Sequence, residues 1–282
     1  MSIKEKLESL GRNSIQLKIA RKETYKLGAT RFGGKPDVPP DFVWPTYEGE
    51  SYDHVVKDRP LTFLAQFNCA ELAQFDKEHL LPDHGLLSFF YETDTQCWGY
   101  DPKNQGCARV YWFEDMSALS AADFPADMGE DFKFPMVKIK LDAKTSYPSW
   151  QDFSEMFPDE KDDDAFNDAL DELTGEDPEN PDDRSQLLGW PDIIQNNMTL
   201  ECELVSRGYY LGGSWESVPQ EERDALRAPS VQDWRLLFQL DTVASGDFEL
   251  MFGDCGRIYF YIRREDLLAR RFDRAWLVLQ CM

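Results

Sequence analysis

The sequence is short of most residues that announce chemistry. It holds three histidines, His54, His79 and His84, in 282 residues, so general-base options are few. It contains no Gly-x-Ser-x-Gly. The nearest stretch, Leu211-Gly-Gly-Ser-Trp-Glu216, lacks the strand–turn–helix setting of a serine nucleophile. None of the six cysteines forms a Cys-x-x-Cys pair. No glycine-rich stretch runs into Lys-Ser or Lys-Thr, so no phosphate-cradling loop is expected. No run approaches the roughly 18 apolar residues of a membrane span. The opening, Met1-Ser-Ile-Lys-Glu-Lys-Leu-Glu8, alternates charge and lacks the apolar centre of a signal peptide, so the expectation is a cytoplasmic protein. Positive charge is scarce: 30 Lys and Arg stand against 53 Asp and Glu, for a net of −23. Nucleic acid and anionic membranes repel such a chain, and a basic protein partner attracts it.

Metal sites fare no better. His79, His84, Cys97 and Cys107 could supply four ligands, but His-x4-His and Cys-x9-Cys match no common zinc spacing. Asp162, Asp164 and Asp168 have a calcium-loop flavour, yet Phe166 occupies the fifth position and the turn glycine is missing. No metal and no cofactor is therefore assigned. The cysteines read as buried free thiols of a reducing compartment, since a chain of this size needs no covalent staples.

What is present is a core, a charge cluster and a recurrence. Hydrophobic residues make up 42% and aromatics 13%, enough for a packed interior. Ser2 caps a short amphipathic helix in which Ile3, Leu7 and Leu10 share one face, and Gly11 ends it. Alternating or apolar runs at 14–21, 60–68, 80–91, 108–113 and 136–141 read as strands. From Gln151 to Arg184, fifteen carboxylates oppose only Lys161 and Arg184, so 34 residues hold more than half of the net charge. Phe166, Leu170 and Leu173 give that segment helical spacing, and the prolines from Asp177 onward break it.

The first half's order then returns. Gly33-Gly-Lys-Pro-Asp37 is matched by Leu188-Gly-Trp-Pro-Asp192, and Leu61–Asn68 by Trp234–Asp241. Leu81–Tyr91 is matched by Phe252–Ile262. Three blocks in one order point to two degenerate copies of one supersecondary unit. Gly33, Gly34 and Pro36, with Gly189 and Pro191 as counterparts, read as turn devices that set the entrance to each copy's strands. Gly85 and Gly256 serve the same way before the later strands. The expected fold is α+β and mainly antiparallel β, with two pseudo-repeated halves packed as one unit over residues 1–282. The first copy spans about 13–150, an acidic helical insertion about 151–184, and the second copy about 185–282.

Six motifs carry a resemblance: Phe32-Gly-Gly-Lys-Pro36, Phe63-Leu-Ala-Gln-Phe-Asn68, Leu81-Pro-Asp-His-Gly-Leu-Leu-Ser-Phe-Phe90, Leu188-Gly-Trp-Pro-Asp-Ile-Ile-Gln195, Leu236-Leu-Phe-Gln-Leu-Asp241 and Phe252-Gly-Asp-Cys-Gly-Arg-Ile-Tyr-Phe260. With Asp266-Leu267 and Val278-Leu-Gln-Cys281 they resemble the YwqG-like bacterial proteins over nearly the whole chain. The resemblance implies a fold and no chemistry. It also brings an association of some relatives with toxin or secretion genes. Cys97 and Cys107 stand where the family has ordinary hairpin-loop residues, which argues against a family-wide cysteine function.

Two readings of function follow. One is a non-catalytic binding protein, immunity-like toward a basic toxin domain, that uses the acidic segment. The other rests on Gln66 and Gln239, which occupy equivalent places in apolar strands and must find partners for their amides. Each amide satisfies neighbouring backbone at its Gly-Pro turn, or the two line a cleft between the copies. In the second case the protein is a polar-ligand binder or an unusual enzyme, and Gln195, Asp254 and Trp44 join the site.

Overall fold

The computed structural model describes residues 1–20, 25–175, 184–246 and 248–282. The first helix forms as its sequence dictates. Helix α1 (Ile3–Leu10) starts at Ser2, whose hydroxyl accepts from Glu5 N, while the Glu5 carboxylate accepts from Ser2 N. This reciprocal box satisfies two orphan donors of the first turn.

Strands follow in the order β1 (Arg12–Ile19), β2 (Arg31–Phe32), β3 (Asp37–Val38), β4 (Thr46–Glu50), β5 (Val56–Pro60) and β6 (Thr62–Asn68). The short α2 (Cys69–Leu72) leads to β7 (Leu86–Tyr91), β8 (Ala108–Phe113), β9 (Ser120–Ala121) and β10 (Val137–Ser146). Helices α3 (Trp150–Met156) and α4 (Asp163–Thr174) come next, then β11 (Gln186–Leu188). Helices α5 (Thr199–Ser206) and α6 (Gln220–Asp233) precede β12 (Trp234–Leu240), β13 (Val243–Ser245), β14 (Phe248–Leu250) and β15 (Arg257–Arg263). The chain closes with α7 (Arg264–Leu268) and β16 (Trp276–Gln280). The break read from the prolines at 177–181 lies outside the described residues.

Ten strands form one antiparallel sheet in the order β16-β15-β12-β11-β1-β10-β2-β6-β7-β8. The long central pair, β1 and β10, runs in register from Arg12↔Ser146 to Ile19↔Ile139. The sheet curls until its two wings share one core. Phe67 and Phe89 from β6 and β7 meet Phe238 and Phe260 from β12 and β15, with ring centroids 4.8–5.3 Å apart across the wings. Such pairs contribute about 0.5–1.5 kcal/mol each beyond the area they bury. The β7–β8 loop then reaches the opposite edge, where Leu279 N of β16 donates to Trp98 O at 3.0 Å and Trp276 Nε1 donates to Gly99 O at 2.9 Å. Only glycine fits at 99. Its φ is +85°, and a Cβ there would lie 1.9 Å from Leu277 O.

The Gly-Pro turns have the same build in each wing. Gly33 and Gly34 adopt φ of +54° and +74°, and Leu188 and Gly189 adopt +60° and +78°. Arg31 donates to the carbonyls of Gly33 and Lys35; Gln186, at the matching place, donates to those of Leu188 and Trp190. An amide from the next strand then latches each turn. Gln66 Oε1 accepts from Asp37 N at 3.1 Å and Nε2 donates to Ala29 O at 3.0 Å. Gln239 Oε1 accepts from Asp192 N at 2.9 Å and Nε2 donates to Arg184 O at 2.6 Å. Both amides are fully buried. Both strands carry an irregularity at the same remove, between Phe63 and Ala65 in β6 and between Leu236 and Phe238 in β12.

The aspartates after the prolines differ. Asp37 is buried and takes Tyr25 Oη at 2.5 Å, Gly28 N at 2.8 Å and Gln66 Nε2 at 2.6 Å, with Arg31 at 3.5 Å. Asp192 is half-exposed and pairs with Arg184 at 2.6 Å and Arg257 at 2.8 Å. Replacing Gln66 with leucine strips partners from a buried N–H and a buried carboxylate, whereas Gln239→Leu strips only backbone groups. Urea unfolding is expected to show a loss of about 3 kcal/mol or more for Gln66→Leu and about 2 kcal/mol for Gln239→Leu. A loss under about 1 kcal/mol for either contradicts the latch.

Candidate functional site

The residues singled out from sequence do not converge. Gln66 and Gln239 stand in strands that have β2, β10, β1 and β11 between them, each latched to its own turn. Trp44 belongs to an aromatic cluster with Phe42, Phe90 and Phe124, and its Nε1 donates to Leu61 O at 2.9 Å. Gln195 is exposed, and Gln280 Oε1 holds its N–H at 3.1 Å. Asp254 is exposed in the turn before β15, where its carbonyl accepts from Met282 N at 3.1 Å. Pro36 and Pro191 sit in the latched turns. Gly85 precedes β7 with φ of +83°, and Gly256 precedes β15, pressed against Phe252 O and Gln280 O. Among the described residues no group of three His, Cys, Asp or Glu side chains is placed to hold a metal. His84 instead lies beside Asp83 and Glu114, over Trp112.

A cleft of about 580 Å³ opens elsewhere, where the β4 hairpin and the β7–β8 loop meet the 210–212 segment. Four aromatic residues, Tyr47, Trp98, Tyr100 and Tyr210, line it together with the acidic Glu50 and Asp101. Its walls are fixed by hydrogen bonds between the wings. Gly253 N donates to Gln96 Oε1 at 2.7 Å, and Leu211 N donates to Tyr100 O at 2.8 Å. Asn104 Oδ1 accepts from Gly99 N and Asp101 N at 3.2 and 3.3 Å, so one side chain shapes the loop from inside.

Two thiols lie under this loop. Cys97 lines the cleft, with Thr95 Oγ1 3.4 Å from its sulfur, and Cys107 is its buried neighbour. The hydrogen bond from Cys107 draws the Cys97 thiol below its ordinary value, while Cys97 and burial push the Cys107 thiol up. Behind the cleft, burial and the nearby Glu201 carboxyl raise the Tyr100 phenol. Glu201 lies on α5 with Oε1 2.6 Å from Asn196 Nδ2, and its Oε2 has no hydrogen-bond partner among the described residues.

Gln280 is a third fully buried amide, not expected from the sequence. It holds Ile194 N and Gln195 N and donates to Asn196 O at 2.8 Å. Its signal was a lone glutamine inside Val278-Leu-Gln-Cys281. The cleft has no signature in the sequence either, since its walls come from loops 47–50 and 95–104 together with 210–212, which no pattern links.

Taken together, the molecule is a mainly antiparallel β protein with one large curled sheet and a cleft held between its wings. Residues 30–281 match the family described as "Domain of unknown function (DUF1963)", and the chain belongs to that family. No curated protein matches it. No helix of the described residues is long and apolar enough to cross a membrane.

Glu201 gives the site a pH signature. Burial lifts its carboxyl from an ordinary 4.5 to about 7. A carboxyl whose folded value exceeds its unfolded value favours the folded state when protonated. That contribution is complete below about pH 4.5 and is lost as pH rises through about 7. Glu201→Gln keeps the acceptor for Asn196 and cannot ionise. The variant is expected to match the wild type near pH 4.5 and to exceed it in unfolding free energy by about 3 kcal/mol at pH 8.5. Parallel pH dependences of the two proteins contradict this reading.

Proposed function

We propose that the protein is a non-catalytic binding protein that docks a basic protein partner on the face built by α3 and α4. The observation that carries this reading is how α4 is mounted. Phe166 and Ala169 are buried against Leu7 and Phe153, and Leu170 and Leu173 pack alongside. Asp162 caps the helix by accepting from Ala165 N at 2.9 Å. The apolar stripe fixes the helix to the body, so Asp159, Asp162, Asp163, Asp164, Asp168 and Asp171 face solvent as a set. Lys4 pairs with Glu172 and Lys6 with Glu160. A rigid surface with a large excess of one sign raises the encounter rate with an oppositely charged partner and makes it salt-sensitive.

The matching turns, latches and strand irregularities support an origin by duplication of one supersecondary unit. The motif resemblance supports a YwqG-like membership within the wider family, and with it an immunity-like role toward a basic toxin domain. The unpaired state of all six cysteines supports a cytoplasmic location.

The test is affinity capture from native lysate at low and high salt, with bound proteins identified by mass spectrometry. A stoichiometric basic protein is expected, released at high salt. The variant Asp162→Asn/Asp163→Asn/Asp164→Asn/Asp168→Asn is expected to lower its association rate about tenfold or more. A partner that binds this variant unchanged overturns the docking face, and no partner at either salt overturns the immunity-like form.

A further inference from the structure

The geometry points to a binding site for a small organic cation, an alkylammonium group, in the cleft of about 580 Å³ between the β7–β8 loop and the 210–212 segment. The site is separate from the acidic face of α4, and it stands or falls without the docking reading.

Four features carry it. The first is aromatic surface placed at one mouth. Trp98 is 42% exposed and Tyr210 is 55% exposed, while Tyr47 and Tyr100 are partly buried in the walls. Large exposed aromatics scattered singly need no account, but four gathered on one concavity do. The second is charge. Glu50 and Asp101 are the charged side chains of the lining, and both are negative. Glu50 pairs with His54, whose Nδ1 lies 3.4 Å away at an exposed position, and Asp101 Oδ1 accepts from the backbone N–H of Lys103 at 2.9 Å.

The third feature is preorganisation. The bonds from Leu279, Trp276, Leu211 and Gly253 hold the loop to the opposite wing, and Gly99 lets it approach closer than any side chain allows. A ligand therefore meets walls already ordered, which lowers the entropy cost of binding.

The fourth is elimination by chemistry. An anion would meet two carboxylates and no cation on these walls. A neutral ring could stack but would leave those carboxylates facing an uncharged guest. An alkylammonium group satisfies both demands, since its methyl surface lies against ring faces and its charge is drawn to the ring quadrupole and the carboxylates.

Isothermal titration of the full chain at constant ionic strength tests this, with choline as probe and 3,3-dimethyl-1-butanol as its uncharged isostere. One saturable site is expected, binding choline at least about tenfold more tightly than the isostere. Trp98→Leu and the isosteric pair Glu50→Gln/Asp101→Asn are each expected to weaken choline about tenfold, and Trp98→Phe to retain most of the affinity. Thermal unfolding of each variant checks that the loop still folds, and the Trp98 carbonyl bond to Leu279 does not depend on its ring. Neutralising the α4 aspartates should leave choline binding unchanged. The proposal is overturned by equal affinity for choline and isostere, by no saturable binding of millimolar choline, or by choline affinity unaltered in both Trp98→Leu and the carboxylate pair.

Discussion

The rest of the structure depends on the seam between the two wings of the sheet. A ten-stranded antiparallel sheet left open would expose one apolar face and two long edges. Here the wings fold onto each other through Phe67, Phe89, Phe238 and Phe260. The contact is extended at the rim by the loop of Trp98 and Gly99, which lies along β16, and by Phe272 packed on Trp112 of β8. Each wing supplies half of a core that neither could complete alone.

The seam also explains where the cleft lies. Aromatic side chains crowd the interior wherever the wings touch. At the rim the loop from one wing is tied to the other by hydrogen bonds instead, which leaves space between them. Tyr47 and Tyr100 border that space from the packed side, and Trp98 and Tyr210 from the open side. The acidic helix is held by a different cluster, built on Leu7, Phe153 and Phe166, so the two candidate surfaces rest on separate supports.

Much of the fold was legible in the sequence because local chemistry fixed it. Ser2 and Glu5 form the capping box, the alternating run at 14–19 falls in β1, and the apolar runs at 86–91 and 108–113 pair as a hairpin. The recurrence of Gln66 and Gln239 relative to the Gly-Pro turns led to the latches, since a buried amide in an apolar strand must be satisfied and the turn offers the partners. The grouping of Gln66, Gln239, Gln195, Asp254 and Trp44 had no such local determinant, and the structure disperses them. Helices α5 and α6 were also not foreseen. Thr199–Ser206 is buried almost all round, so it shows little of the amphipathic stripe that marks a surface helix. The cleft was illegible for a related reason: residues 47 and 210 are brought together only by the curl of the sheet.

The β7–β8 loop is welded to the opposite wing in the free protein, so that both core and cleft are set before any ligand arrives. Amide hydrogen exchange measures this most directly. The amide of Leu279, bonded to Trp98 O, and that of Leu211, bonded to Tyr100 O, are predicted to exchange only with global unfolding, as slowly as the core amides of β7 and β12. Exchange of Leu279 and Leu211 at rates typical of exposed loops, while β7 and β12 stay protected, would contradict it.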